Sequence, residues 1–349
     1  MAQFISFQPS DYYNTTVYTG NGTAIGSGGL PVTGVGFQAD FTWIKNREQA
    51  DNHILTNSAI GATKYLNSDR NNAQATNAES LTTWGADGFT LGNHAAVNTS
   101  AEDYVSWNWK GGTTSGITTD GSTTITPSAY SFSQTAGISI INYTGNSTSG
   151  AKVAHGLGVA PELIFCKDTV AANHWPVYHV DSGNGKYFVL SDTAAADTNT
   201  NRWNDTTPDS VNFTVGNSAA ANSTNLYVAW CFASKPGFSH IGSYTGNGNA
   251  DGAFIHCGFR PAVVIYKKDA VQDWCINDDK RLGFNPDNAY LFPNTTQTES
   301  DIERIDFVSN GFKIRTTDSG DNGSGEDYLY AAWAEFPIVS SNSKAGTAR

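Results

Sequence analysis

No stretch of this sequence approaches the roughly 18 consecutive apolar residues of a membrane-spanning helix, and Met1 to Pro9 lacks the positive start and apolar run of a signal peptide. The expectation is a chain made in a cytoplasm, with no membrane partner. Charge is scarce as well. Charged residues are 15% of the 349, and 20 Lys and Arg face 32 Asp and Glu, a net charge of −12. Binding a phosphate backbone needs basic side chains to replace condensed counterions, so no nucleic-acid partner is expected.

Cysteine is rare: Cys166, Cys231, Cys257 and Cys275 have none of the paired spacings of a zinc site or a redox motif. They read as reduced core thiols; a Cys166–Cys231 bridge is the alternative. The sequence contains no H-E-x-x-H, no G-x-S-x-G and no G-x-G-x-x-G. No catalytic residue and no cofactor is assigned, and the chain is expected not to be an enzyme. Long helical periodicity is missing too, while Gly, Asn, Ser and Thr abound, which points to short strands and many turns.

What is present is one unit written three times. Tyr18-Thr19-Gly20-Asn21 returns at Tyr143 to Asn146 and at Tyr244 to Asn247. Each copy continues into a Gly-led turn and a strand closed by lysine: Trp43-Ile44-Lys45, then Leu163 to Lys167, then Val263 to Lys267. Next come Asn52-His53-Ile54, Asn173-His174-Trp175 and Asp273-Trp274. Each unit ends on an aromatic strand, read as Tyr104-Val105-Ser106-Trp107, Tyr227-Val228-Ala229-Trp230 and Tyr330-Ala331-Ala332-Trp333. Gly20-Asn21-Gly22 is turn chemistry; no Gly-Lys-Ser/Thr follows to make it a phosphate loop.

The fold expected is all-β: three tandem homologous antiparallel β-sandwich modules, jelly-roll-like. Their bounds are 1–110, 130–235 and 236–339, with a Gly/Thr/Ser-rich linker at 111–129 and a polar carboxy-terminal tail at 340–349. The long linker reads as a flexible joint and Ala233-Ser234-Lys235-Pro236-Gly237 as a tight one. The arrangement expected is elongated, with the second and third modules packed and the first mobile. Open sandwiches leave unpaired strand edges, so a homo-oligomer, a trimer, is expected to cover them.

Three groups are candidate site residues. Asp318, Asp321, Glu326 and Asp327 lie in an acidic, glycine-rich loop with the hard oxygen ligands calcium takes, although the spacing is not that of an EF-hand. A solvated turn is the alternative. Trp84, Trp109, Trp175, Trp203 and Trp274 do not recur fully, so they are candidates for a contact surface that could stack on a sugar. The loops Asp69 to Ser80, Asp192 to Asn204 and Pro293 to Ser300 diverge most, which is where recognition would be placed. His53 and His174 read as strand-end histidines satisfied by hydrogen bonds.

Ala154-His155-Gly156-Leu157-Gly158-Val159-Ala160-Pro161-Glu162, the three Tyr-Thr-Gly-Asn turns and the ending Tyr330 to Pro337 together resemble repeat-containing virion structural or tail-fibre proteins of tailed, often marine, bacteriophages. The resemblance covers nearly the whole chain. It implies a virion location, other virion proteins of capsid or tail as partners, and no catalytic residues to carry over. A non-enzymatic capsid decoration protein or tail component is therefore expected. A host-receptor or glycan-binding adhesin is the alternative, and a polysaccharide-degrading enzyme, which needs converging carboxylates, a more remote one.

Overall fold

A computed structural model describes residues 5–281, 285, 288–335, 338–339 and 345–346. Strand makes up 39% and helix 6%, so the chain is all-β. Its main strands alternate between two apolar environments. Ile44, Ile164 and Val264 face the core of their own module, whereas Trp43, Phe165 and Ile265 face a core shared by all three.

The same strand order recurs in each module. Tyr13–Thr19, Asp103–Trp109, Phe41–Asn46 and Ile54–Asn57 lie side by side in the first. Ile138–Thr144, Leu226–Phe232, Leu163–Asp168 and Pro176–His179 do so in the second, and Ser239–Thr245, Asp327–Trp333, Val263–Lys268 and Trp274–Asp278 in the third. A small second sheet covers each: Leu30–Thr33 beside Gly88–Leu91, Ala151–Ala154 beside Asn212–Val215, and Phe254–His256 beside Gly311–Ile314. All of these pairs are antiparallel. The result in each module is a sandwich with one large and one small sheet.

Strand register corrects the sequence alignment of the closing strands. Tyr18 pairs with Tyr104 and Tyr143 with Tyr227, but Tyr244 pairs with Tyr328, not Tyr330. The true equivalents are Tyr104, Tyr227 and Tyr328, followed by Trp107, Trp230 and Ala331, then Trp109, Phe232 and Trp333. A slip of two residues keeps every side chain on its face, so alternation alone does not reveal it. A similar offset affects the histidines. Lys267 pairs with Trp274, and the registers of the first two modules, carried one and two steps on, set Lys45 against His53 and Lys167 against Trp175. His53 is thus equivalent to Trp175 and Trp274, and His174 is not its counterpart.

The modules are not elongated. Trp109, Phe232 and Trp333, one from each, meet at ring-centroid separations of 5.1 to 6.3 Å. They mark a pseudo-threefold axis through a single buried cluster that also holds Trp43, Trp107, Trp175, Trp230 and Trp274. Each aromatic buries about 150–250 Å², and at about 25 cal/mol per Å² the axis outweighs any one surface contact. Where Trp107 and Trp230 stand in the first two modules, the third has Ala331, and a void of ≈ 10 Å³ remains beside it, lined by Phe165, Ile265 and Trp274.

The long linker is not a free joint either. Gly111 and Gly112 donate to Asp40 Oδ2, Thr113 bridges to Phe132, and Ile125 is buried against the second module in a parallel bridge with Val153. The composition that reads as flexible supplies turns that wrap a surface. Of the tail, only Ala345–Gly346, paired with Ile338–Val339, falls within the described residues.

Candidate functional site

The recurrent Tyr-Thr-Gly-Asn turn is tied into a knot at the same end of each module. The glycine is required by close approach: a Cβ on Gly20 would lie 2.0 Å from Thr99 O, and one on Gly145 2.0 Å from Ser223 O. The following asparagine is held by a second, buried asparagine. Asn98 Oδ1 accepts from Asn21 N at 2.7 Å, Asn222 Oδ1 from Asn146 N at 2.8 Å and Asn322 Oδ1 from Asn247 N at 2.9 Å. The tyrosines stack in pairs, Tyr18 on Tyr104, Tyr143 on Tyr227 and Tyr244 on Tyr328. Their hydroxyls donate to carbonyls, for example Tyr143 to Ala221 at 2.6 Å and Tyr244 to Asp321 at 2.8 Å. Burial pushes Tyr18, Tyr143 and Tyr244 well above the usual phenol range, so these groups stay protonated and fasten the backbone.

Asn98, Asn222 and Asn322 were not singled out from the sequence. Each precedes the closing-strand tyrosine by five or six residues, a signal hidden once the third copy is aligned on Tyr330.

The module seams use the second set of recurrent residues in a cyclic pattern. Trp175 Nε1 donates to Asn67 O of the first module, at 3.0 Å, and Trp274 Nε1 to Val189 O of the second, at 2.9 Å. His53, their equivalent, places Nε2 3.1 Å from Phe292 O of the third, while Nδ1 accepts from Trp43. The first and third modules therefore touch as the others do. The divergent loops form these seams: Gln74 N bonds Thr169 O, Gln272 N bonds Thr193 O, and Glu299 N bonds Arg47 O. They differ because each seam is different, so their divergence does not mark a recognition surface.

The seam between the third and first modules carries a buried ionic network. Arg281 Nε bonds Asp278 Oδ2 at 2.6 Å with both side chains fully buried, and Glu299 binds Arg281 at 3.1 Å and Arg47 at 2.8 Å. Trp107 Nε1 donates to Asp278 at 3.0 Å, with the Arg281 guanidinium over its ring.

The candidate contact tryptophans are corrected by burial. Trp109, Trp175, Trp203 and Trp274 are at most 4% exposed. Correct register shows why: Trp109 recurs as Trp333, and Trp175 as Trp274, so both are core positions. Trp84 alone is partly exposed.

The calcium candidates do not converge. Asp321 turns inward to an ion pair with Arg304 and accepts from Tyr266 OH, and burial raises its carboxyl. Asp318 caps the short helix Ser319–Asn322, Glu326 faces Lys268, and Asp327 accepts from Thr245. Among the described residues no group of three His, Cys, Asp or Glu side chains is placed to hold a metal.

Other titratable groups are similarly occupied. Lys45, Lys167 and Lys267 are buried, bond the carbonyls of the turns that follow them, and are lowered to about 8 by desolvation. All four cysteines are buried and free, and burial raises their thiols, which makes them poor nucleophiles. An open groove of ≈ 440 Å³ lies between the first and second modules, lined by Tyr12, Lys110, Gly112, Thr113, Phe132 and Gln134.

These features define a closed, single-chain ring of three β-sandwich modules whose repeated residues serve its knots and seams. The chain belongs to the family of a domain of unknown function designated DUF7483, whose model matches residues 8–337 and so runs through all three modules and the linker. No curated protein and no solved structure matches it.

Proposed function

We propose that this chain is a non-enzymatic structural component of a bacteriophage virion surface, a capsid decoration protein or a tail component. The observation that supports this reading is the closed ring itself. Recurrent aromatics, His53 and the divergent loops are spent on joining modules, and the carboxylates of the third-to-first seam and of the acidic loop pair with bases, cap a turn or accept from hydroxyls. Such a body suits a rigid building block better than a catalyst. The threefold arrangement that a homotrimer of single modules would provide exists within one chain, so we propose a monomer where the open edges led to a trimer.

Localisation on particles tests this. Virions from cells producing the tagged chain should carry it on their outer surface by cryo-EM difference density; mature particles that exclude it would overturn the proposal. The adhesin reading rests on the groove beside Tyr12 and on Trp84. Saturable binding on a glycan array, lost on Tyr12→Ala, would favour it.

A further inference from the structure

The small sheets of the three modules end on equivalent strands, and their outer edges are treated in three different ways. Register makes Pro31, Lys152 and Phe254 equivalent, as it does Thr33, Ala154 and His256, because Val32 pairs with Phe89, Val153 with Phe213 and Ile255 with Phe312. In the first module the outward position holds Pro31, which has no N–H to offer. In the second, the linker covers the edge. Ile125 N donates to Lys152 O at 2.9 Å, Ala154 N to Ile125 O at 3.2 Å, and Lys152 N to Thr124 Oγ1 at 2.7 Å.

The third module has neither device. Ile314 N bonds Ala253 O and Cys257 N bonds Asn310 O, which by alternation turns the backbone groups of Phe254 and His256 outward. Among the described residues no hydrogen bond reaches the N–H or C=O that those two residues present. Phe254 stands beside this edge at 48% exposure. The connector preceding this module cannot supply the cover. Ala233 to Gly237 is five residues, about 17 Å at full extension, and it is already tied by the Lys235–Ser239 bridge and by Ser234 to Glu162.

We propose that the outer edge of Phe254–His256 is a docking site for an extended segment of another protein chain. The segment adds as a parallel strand, the way residues 123–126 add to the second module. The occupant's chemistry follows from that internal example: a β-branched apolar residue in the place of Ile125, which is 6% exposed, flanked by Thr or Ser whose hydroxyl accepts the outward N–H of Phe254. The inference rests on strand equivalence and does not depend on the virion reading.

A synthetic peptide of residues 121–128, Gly-Ser-Thr-Thr-Ile-Thr-Pro-Ser, is the probe. Hydrogen exchange of the full chain is followed with and without it. The peptide should slow exchange of the Phe254 and His256 amides by about tenfold or more at saturation, and replacing its isoleucine by proline should remove the effect. Phe254→Pro copies Pro31 at a position whose N–H meets no acceptor among the described residues, so it should keep the circular dichroism of the parent and abolish the response. Unchanged exchange at Phe254 and His256 in saturating peptide would overturn the proposal. So would protection without peptide that grows with protein concentration, since a second copy would then be the occupant.

Discussion

Asn98, Asn222 and Asn322 show how single residues hold this molecule together. Asn322 is fully buried and its Nδ2 reaches Asn247 Oδ1, Asn249 O and Thr316 O while its Oδ1 accepts from Asn247 N. Asn322→Ala would strand several of these groups and should cost about 2–3 kcal/mol, read as a lowered denaturation midpoint with an unchanged m-value. A conservative Asn322→Asp should also destabilise, since it removes the donors. His155 offers a titration test. Burial lowers its ring from 6.5 to about 4, against a bond from its Nε2 to Asp209 O. A depressed folded-state value means that its contribution to stability is present above pH 6.5 and lost as pH falls toward 4. The ring resonances should titrate near 4 by NMR; a midpoint near 6.5 would place His155 in solvent. At this scale the sequence was partly legible. The Gly and Asn of each turn are visible because turn chemistry is local, whereas their buried asparagine partners lie more than seventy residues away.

The elements divide in the same way. Strand identity follows from β-branched and aromatic alternation, but a two-residue slip leaves that alternation intact, and only cross-strand pairing separates Tyr328 from Tyr330. Trp109 looks irregular for that reason, and correct register makes it the equivalent of Phe232 and Trp333; Trp175 and Trp274 recur together, and their first-module equivalent is hidden because it is His53. The linker is the converse case: its Gly and Thr content suits a loose chain or a wrapped one equally, and Asp40, Phe132 and Val153 decide between them. The amides of Gly111, Gly112, Thr113 and Ile125 should therefore exchange slowly beside those of Gly116 and Gly121, which meet no acceptor among the described residues. Ile125→Gly should bring the Ile125 amide to the fast rate while leaving the knots protected. Uniformly fast exchange across 111–126 would restore the flexible joint.

Ring closure belongs to the whole molecule, and the sequence hides it because the seams are written in the loops that diverge most. The third-to-first seam has no covalent connection and relies on packing and on the Arg47, Asp278, Arg281 and Glu299 network. Breaking a buried pair leaves an uncompensated charge, so Arg281→Met should destabilise by about 3–5 kcal/mol. Arg281→Met combined with Asp278→Asn should recover part of that loss, because the stranded charge is gone while the amide oxygen still accepts from Trp107 Nε1 or the Lys280 and Arg281 amides; a double variant as unstable as the single one would show that the stranded charge is not the cause.

The central claim is that three modules share one core, and scanning calorimetry of the full chain together with Trp109→Ala tests it most directly. Trp109 lies on the axis against Phe232 and Trp333, and its truncation should cost about 3–5 kcal/mol. The ring predicts one transition whose calorimetric and van't Hoff enthalpies agree, shifted as a whole by Trp109→Ala. Two or three separate transitions, of which Trp109→Ala lowers only one, would contradict it.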